Sequence, residues 1–278
     1  MDNMDSKVLF LKQKANDLRK NILTMIYTAQ SGHPGGSLSL AEILSVLYYD
    51  ELNIDPQNPQ WLERDRVILS KGHCCPAIYS ILAMKGYFDI GILSTLRKLG
   101  SILQGHPYMK KVPGIDMTTG SLGQGLSAGV GMALGAKADG LKSRVFVILG
   151  DGETNEGQVW EAAMSAAKYK LDNLIAIIDK NNLQNDNFTC EVMPMDPMQD
   201  KWVAFGWNVI RTNGHDVEQL LDAFNKAKNL KGKPICIIAD TVKGKGVSFM
   251  ENVCSWHGTP PDDEQYRIAM EELRRYEI

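Results

Sequence analysis

A carboxylate stands between two glycines at Gly150-Asp151-Gly152, after the apolar run "RVFVIL" and before the apolar-periodic stretch "VWEAAMSAAKY". Glycines let the backbone approach a ligand closely. A helix N-terminus attracts anions, whereas an aspartate in the same place repels them. A divalent cation resolves the conflict, because Mg2+ takes few protein ligands and shares its octahedron with phosphate oxygens and water. Asp151 with the carboxamide of Asn181 or Asn182 suits such a metal–diphosphate site. An aspartate here also fits a helix N-cap or an Asx turn, and the motif alone leaves both roles open. It is not a dinucleotide fingerprint, since the third glycine of that pattern is missing, and the chain has no Walker-type phosphate loop.

Each of the five histidines neighbours a glycine: His33, His73, His106, His215 and His257. Such positions are loops, where binding residues concentrate. A neutral imidazole donates and accepts hydrogen bonds without a fixed charge, which fits the recognition of sugar hydroxyls. His215 reads differently. The segment "NGHDVEQL" is a turn into a helix capped by Asp216, giving that histidine a surface or structural role. The stretch 118–140, "TTGSLGQGLSAGVGMALGAKADG", is a glycine-rich turn entering a helix of small residues. Gly125, Gly129 and Ala133 fit close helix packing, and the turn at 120–123 fits a backbone wall against a flat ring.

These residues need a scaffold. Five short runs, 66–70, 144–150, 173–179, 207–212 and 234–240, are rich in Val and Ile and do not alternate with polar residues. That pattern predicts strands buried on both faces of a parallel sheet. Helical stretches at 7–30, about 122–138, 157–169, 197–205 and 216–228 separate or precede them, and another helix is expected to be capped near Ser37 or Ser39. The alternation predicts an α/β fold, a doubly wound, mainly parallel sheet flanked by helices, in one domain over 1–278. In such sheets ligands sit beyond the C-terminal strand ends. There the sequence places Lys71-Gly72-His73, Gly150-Asp151-Gly152, Asp179-Lys180-Asn181-Asn182 and "TVKGKG".

Composition bounds the function. Of 278 residues, 44% are hydrophobic and 23% charged, ordinary for a globular chain, and the net charge is -3 with both signs interspersed. No basic stripe calls for nucleic acid or an anionic membrane. The N-terminus lacks a signal-peptide core, and no run is long and apolar enough to span a bilayer. Five cysteines, at 74, 75, 190, 236 and 254, form no CxxC pair, which argues for reduced thiols, no zinc site and a cytoplasmic setting.

Taken together, the segments resemble the diphosphate-binding domain of transketolase, a thiamine diphosphate enzyme. The motif GDG, about thirty residues, then NN is matched by Gly150-Asp151-Gly152 and Asn181-Asn182. "SGHPGGSLSLAEIL", "LSKGHCCPAIYS", "QGHP", "TTGSLGQGL", "TVKGKGVSFM" and "WHG" also resemble family segments, in the family's order and over nearly the whole chain. The resemblance implies that Asp151 and Asn181 ligate Mg2+ or Ca2+ by side chain and Leu183 by its carbonyl. It implies that His73, His257, the Gly152 amide and Lys243 touch the diphosphate, and that Gly120, Ser121 and Leu122 line the thiazolium. Glu156 is then part of a carboxylate relay across the subunit interface. His33, His73, His106 and His257 surround the donor ketose.

The resemblance further implies ketol transfer between sugar phosphates, a two-carbon unit passing from ketose to aldose. The family's pyrimidine-binding and C-terminal domains have no counterpart in the sequence. The expectation is therefore an N-terminal subunit of a split transketolase, in a two-plus-two assembly with a C-terminal subunit. The alternatives are the same architecture serving a modified ketose, branched or sulfonated, and a non-catalytic cofactor-binding subunit. Three positions depart from the family: Asn182 and Asn187 stand where glycine is usual, and Asn185 where an apolar residue packs on the thiazolium.

Overall fold

The computed structural model describes residues 3–275. The first part of the chain is helical: α1 (Asn3–Ala29), α2 (Pro34–Leu38) and α3 (Ala41–Val46), the last running into a π-helical turn at Leu47–Glu51. Then follow β1 (Arg66–Leu69), α4 (Cys75–Met84), α5 (Gln124–Ala138), β2 (Val145–Gly150), α6 (Gly157–Lys168) and β3 (Leu174–Lys180). A two-residue hairpin, β4 (Leu183–Gln184) and β5 (Asn187–Phe188), leads to α7 (Thr189–Val192), α8 (Met198–Ala204) and β6 (Asn208–Asn213). The remaining elements are α9 (Val217–Asn229), β7 (Ile235–Asp240) and α10 (Asp263–Arg274). The charged helix α10 is opened by a capping box between Asp262 and Gln265. Among the described residues no helix is long and apolar enough to cross a membrane.

Five strands pair in parallel in the order β1-β2-β3-β7-β6. The run of apolar residues in β2 is explained by a core on each side. Phe146 and Ile148 enter one cluster with α1, α3, α4 and α9, while Val145, Val147 and Leu149 enter the other with α5, α6 and α8. β3 and β7 divide their side chains the same way, so the doubly wound fold is as the sequence predicts. β6 departs from the expectation. It is the edge strand and mostly half-buried or exposed, so the run at 207–212 is not covered on both faces.

Two glycines of α5 have a packing reason. A Cβ on Gly125 would lie 2.4 Å from Ser70 Oγ, and one on Gly129 would lie 2.5 Å from Val147 Cγ2, so only glycine lets α5 sit this low on β1 and β2. The outer edge of β1 is met by side chains. Val67 N–H donates to Asp116 Oδ2 at 2.8 Å, and the Leu69 carbonyl accepts from Thr119 Oγ1 at 2.7 Å.

The expected serine cap is not found. Segment 34–46 splits into α2, which starts at Pro34 after His33, and α3, which starts after Leu40. Ser37 donates instead to the His33 carbonyl at 2.7 Å, and Ser39 to Asp179 Oδ2 at 2.6 Å. The proline at N1 supplies the helix start that a serine would otherwise mark.

Candidate active site

The C-terminal ends of β1, β2, β3 and β7 meet around a cavity of about 540 Å³, lined among others by His33, Lys71, His73, His106, Asp151, Gly152, Asn181, Leu183, Lys243 and His257. Two carboxylates at neighbouring strand ends have opposite environments. Asp179, fully buried, accepts from Lys71, Thr241, Ser39 at 2.6 Å and Asn181 Nδ2 at 3.2 Å. Burial pushes against its charge, but Lys71 and these donors hold it below the usual carboxylate range. Asp151, 3% exposed, has only two backbone donors: Gly152 N at 2.9 Å and Asn182 N at 2.6 Å. Burial and the nearby Asp179 charge push it up to about 6. Environments that drive two carboxylates apart assign them different tasks. Asp179 is structural, and Asp151 is a charge awaiting a partner. The N-cap role also holds, since Asp151 caps the short turn 152–155.

Asn181 Oδ1 accepts from Leu183 N at 3.1 Å, and the Leu183 carbonyl accepts from Lys243 Nζ at 3.3 Å. A carboxylate, a carboxamide oxygen and a carbonyl oxygen are hard, oxygen-only donors, the set that Mg2+ or Ca2+ prefers. Among the described residues no group of three or more His, Cys, Asp or Glu could hold a metal. A cation here would rest on this mixed set. The residues fit one: Asp151 is under-compensated, and an ammonium already stands against the Leu183 carbonyl. A diphosphate fits as well. A Cβ on Gly36 would lie 2.8 Å from Cys74 Sγ, and one on Gly152 2.7 Å from Gln184 Cβ, so the cavity wall at these two lining positions is packed too closely for a side chain.

Three imidazoles converge, with His33–His73 centroids at 5.1 Å and His257 5.3 Å from both. Burial, reinforced by neighbouring charges, lowers His33 and His73 to about 4 and His257 to about 3. All three are neutral at pH 7. Lys243 Nζ donates to His257 Nδ1 at 2.9 Å. His106 is exposed at the mouth, with its ring 3.1 Å from where a Gly120 Cβ would stand. The turn before α5 crosses this wall. Gly120 and Leu122 line the cavity, while Ser121 between them is exposed and does not line it. Glu156 also lines the cavity, exposed and beside the same turn, its Cβ 2.7 Å from a Cβ built on Gly123. His215 lies apart. Its Nε2 accepts from Val242 N at 2.8 Å, so Nδ1–H donates to Glu42 Oε2 at 2.9 Å, a structural bridge.

Several site residues had no role assigned from sequence. Glu153 ties the strand-end turns together, accepting from Ser70, Gly123 N at 2.9 Å and Gly150 N at 3.0 Å. Lys71 bridges Asp179 and the Gly36 carbonyl at 3.0 Å. Removing one partner of such a buried pair costs about 3–5 kcal/mol. Gln184 lines the cavity beside Leu183. Of the three departures, Asn182 has φ +61°, a left-handed backbone that glycine or asparagine adopts, and its Oδ1 accepts from Lys180 Nζ at 2.6 Å. Asn185, exposed, lines the rim, while Asn187 is exposed in β5.

Comparison with known proteins identifies the family. Residues 11–274 match the family model described as "Transketolase, thiamine diphosphate binding domain". The chain is 47% identical to the 6-deoxy-6-sulfo-D-fructose transketolase subunit SqwG of Clostridium sp. (strain MSTE9), covering 98% of this chain and 99% of that one. It is 45% identical to an apulose-4-phosphate transketolase subunit from Phocaeicola vulgatus, covering 97% and 95%. It is 44% identical to human transketolase over 91% of this chain, but spans 40% of that protein's length. The crystal structure of transketolase from Campylobacter jejuni superposes with a TM-score of 0.89 at 37% identity, over 95% of this chain and 42% of that one. The chain therefore belongs to the transketolase family and carries its thiamine diphosphate-binding domain.

Proposed function

We propose that this chain is the thiamine diphosphate-binding subunit of a two-chain transketolase, moving a two-carbon ketol unit from a ketose to an aldose with a divalent cation bound. The observation that carries this reading is the meeting of under-compensated Asp151, the neutral oxygens of Asn181 and Leu183, and three neutral imidazoles in one cavity. When bound, the cofactor supplies the nucleophilic carbon that accepts and releases the ketol unit. Asp151, Asn181 and the Leu183 carbonyl hold Mg2+ or Ca2+, which relieves the buried charge of Asp151. The Gly152 amide, His73, His257 and Lys243 face the diphosphate oxygens. Gly120 and Leu122 run beside the ring. His33, His73, His106 and His257 bind the donor's hydroxyls, and a neutral imidazole there takes up a hydroxyl proton and returns it. Glu156, exposed at the rim, is placed to share a carboxylate relay with a partner chain.

The full chain forms one such domain. A partner supplies the pyrimidine-binding and C-terminal domains, in a two-plus-two assembly. Support comes from the two relatives of matching length, both named as subunits, and from the roughly two-fifths share of full-length transketolases that the chain covers. Those same relatives favour a second reading of the substrate. Their names carry 6-deoxy-6-sulfo-D-fructose and apulose 4-phosphate, modified sugars that keep an anionic group. Asn185 at the rim is a polar departure consistent with an altered donor.

The test is a ketol-transfer assay on the purified chain with thiamine diphosphate, Mg2+ and an aldose phosphate acceptor. Xylulose 5-phosphate, apulose 4-phosphate and 6-deoxy-6-sulfo-D-fructose serve as donors. No transfer is expected from the chain alone, and transfer from one donor class is expected once the partner subunit is added. Turnover by the chain alone, free of co-purified partner by mass spectrometry, would sink the two-chain reading.

A further inference from the structure

Gln184 ends β4, directly after Leu183, and lines the same cavity as Asp151, Gly152 and Lys243. Its Nε2 is buried and has no hydrogen-bond partner among the described residues. Leaving a buried donor unpaired costs more than a typical satisfied hydrogen bond contributes, so such a group calls for an explanation. Packing supplies none, because the side chain is pressed against backbone rather than sunk in the core. A Cβ on residue 152 would lie 2.7 Å from Gln184 Cβ and 2.9 Å from its Oε1, so glycine at 152 is what makes room for the carboxamide. An amide NH2 can be satisfied only by an acceptor. No described residue brings one to it, and the ligand chemistry expected at this wall is a phosphate oxygen.

We propose that Gln184 is a diphosphate-binding residue whose Nε2 donates to a phosphate oxygen beside the Gly152 amide. The proposal rests on the thiamine diphosphate reading above and adds a donor to it. It also accounts for the order of residues in the hairpin: the Leu183 carbonyl turns to the cation and the next side chain to the anion that the cation carries. A neutral donor suits this place. Lys71 and Lys243 already bring positive charge to the cavity, and a further cation would have to share the space with the metal.

Calorimetric titration of Mg2+-pyrophosphate into the full chain tests this without turnover. Gln184→Met removes the donor at similar length and is expected to weaken binding about tenfold or more, the scale of a hydrogen bond to a charged group. The ligand-free melting temperature should stay or rise, because an unpaired polar group leaves the interior. Gln184→Glu turns an acceptor toward the phosphate and is expected to weaken binding further. Unchanged affinity in both variants overturns the proposal. So does a loss of affinity that comes with a lower ligand-free melting temperature in Gln184→Met, which marks a packing role. Asp151→Ala separates this from the parent reading. If Asp151→Ala keeps its affinity for Mg2+-pyrophosphate, the diphosphate site itself is wrong. If it loses binding while Gln184→Met does not, the Gln184 proposal alone falls.

Discussion

At the N-terminal ends of β1 and β2, charges are matched. Arg144 pairs with Glu51 and with Asp65 at 2.7 Å, Lys228 reaches Glu51 at 2.7 Å, and Arg64 grips Asp116 at 2.5 and 3.1 Å. At the C-terminal ends of the same strands, Asp151 is met by backbone donors only, three imidazoles are held neutral, and His33 Nδ1 and Gln184 Nε2 have no partner. Both ends are buried and polar, so polarity does not separate structure from site. What separates them is whether the protein completes its own pairs. A closed set of ion pairs holds the fold, and an open set of donors and acceptors is complementary to something else.

Three experiments probe that contrast. The largest effect is expected at the closed end. Asp116→Ala takes away the carboxylate partner of the buried Arg64 guanidinium and leaves the Val67 N–H unpaired, which should cost about 3–5 kcal/mol in urea unfolding while thiamine diphosphate affinity of the folded chain stays unchanged. An equal loss of affinity would mean that the two ends are not independent. At the open end, Asp151→Ala should lower cation-dependent thiamine diphosphate affinity by more than the roughly 10–100-fold that a merely outer-shell partner costs, with the circular dichroism spectrum unchanged. Retained affinity in calorimetry would remove Asp151 from the metal set.

The smallest effect concerns pH. His33 is held near 4 in the fold by burial and by His73, and unfolds to an ordinary imidazole near 6.5. Its folded value is depressed, so the unfolded chain binds the proton first. The stability it contributes is present above about pH 6.5 and is lost as pH falls toward about 4. His33→Gln should flatten that acid limb of the stability curve in thermal melts from pH 7 to 4. An unchanged slope would show that His33 is not desolvated as described.

The contrast also explains what the sequence disclosed. The strands of the interior were legible because two-sided burial demands unbroken Val and Ile, as in "NLIAIID". β6 is a strand as the residue types predict, but its burial is not legible from them, because an edge strand can carry the same residues with one face open. Asp151, Asn181 and the glycine-flanked histidines stood out because site chemistry uses residue types that packing does not need. Glu153 did not, and Lys71 stood out only by its place after a strand, because their partners are backbone amides or lie far along the chain, as with Lys71 and Asp179. Ser39 was read as a cap because a local rule fits it, yet its hydroxyl serves Asp179, 140 positions away. Sequence patterns report what a residue can do nearby, and the closed networks are built from what it meets at a distance.

The side chains on the outer edge of β1 have one more consequence. Asp116 takes the Val67 amide and Thr119 fills the Leu69 carbonyl, so the groups that would template another strand are already engaged. At the opposite margin, the exposed Arg211–Asp240 ion pair links β6 to its neighbour β7 rather than covering the outer edge. A foreign strand adding beside β1 would have to displace a bound side chain. The sheet is thus terminated on the β1 side, and the route by which exposed β-edges polymerise into fibres is shut at that margin.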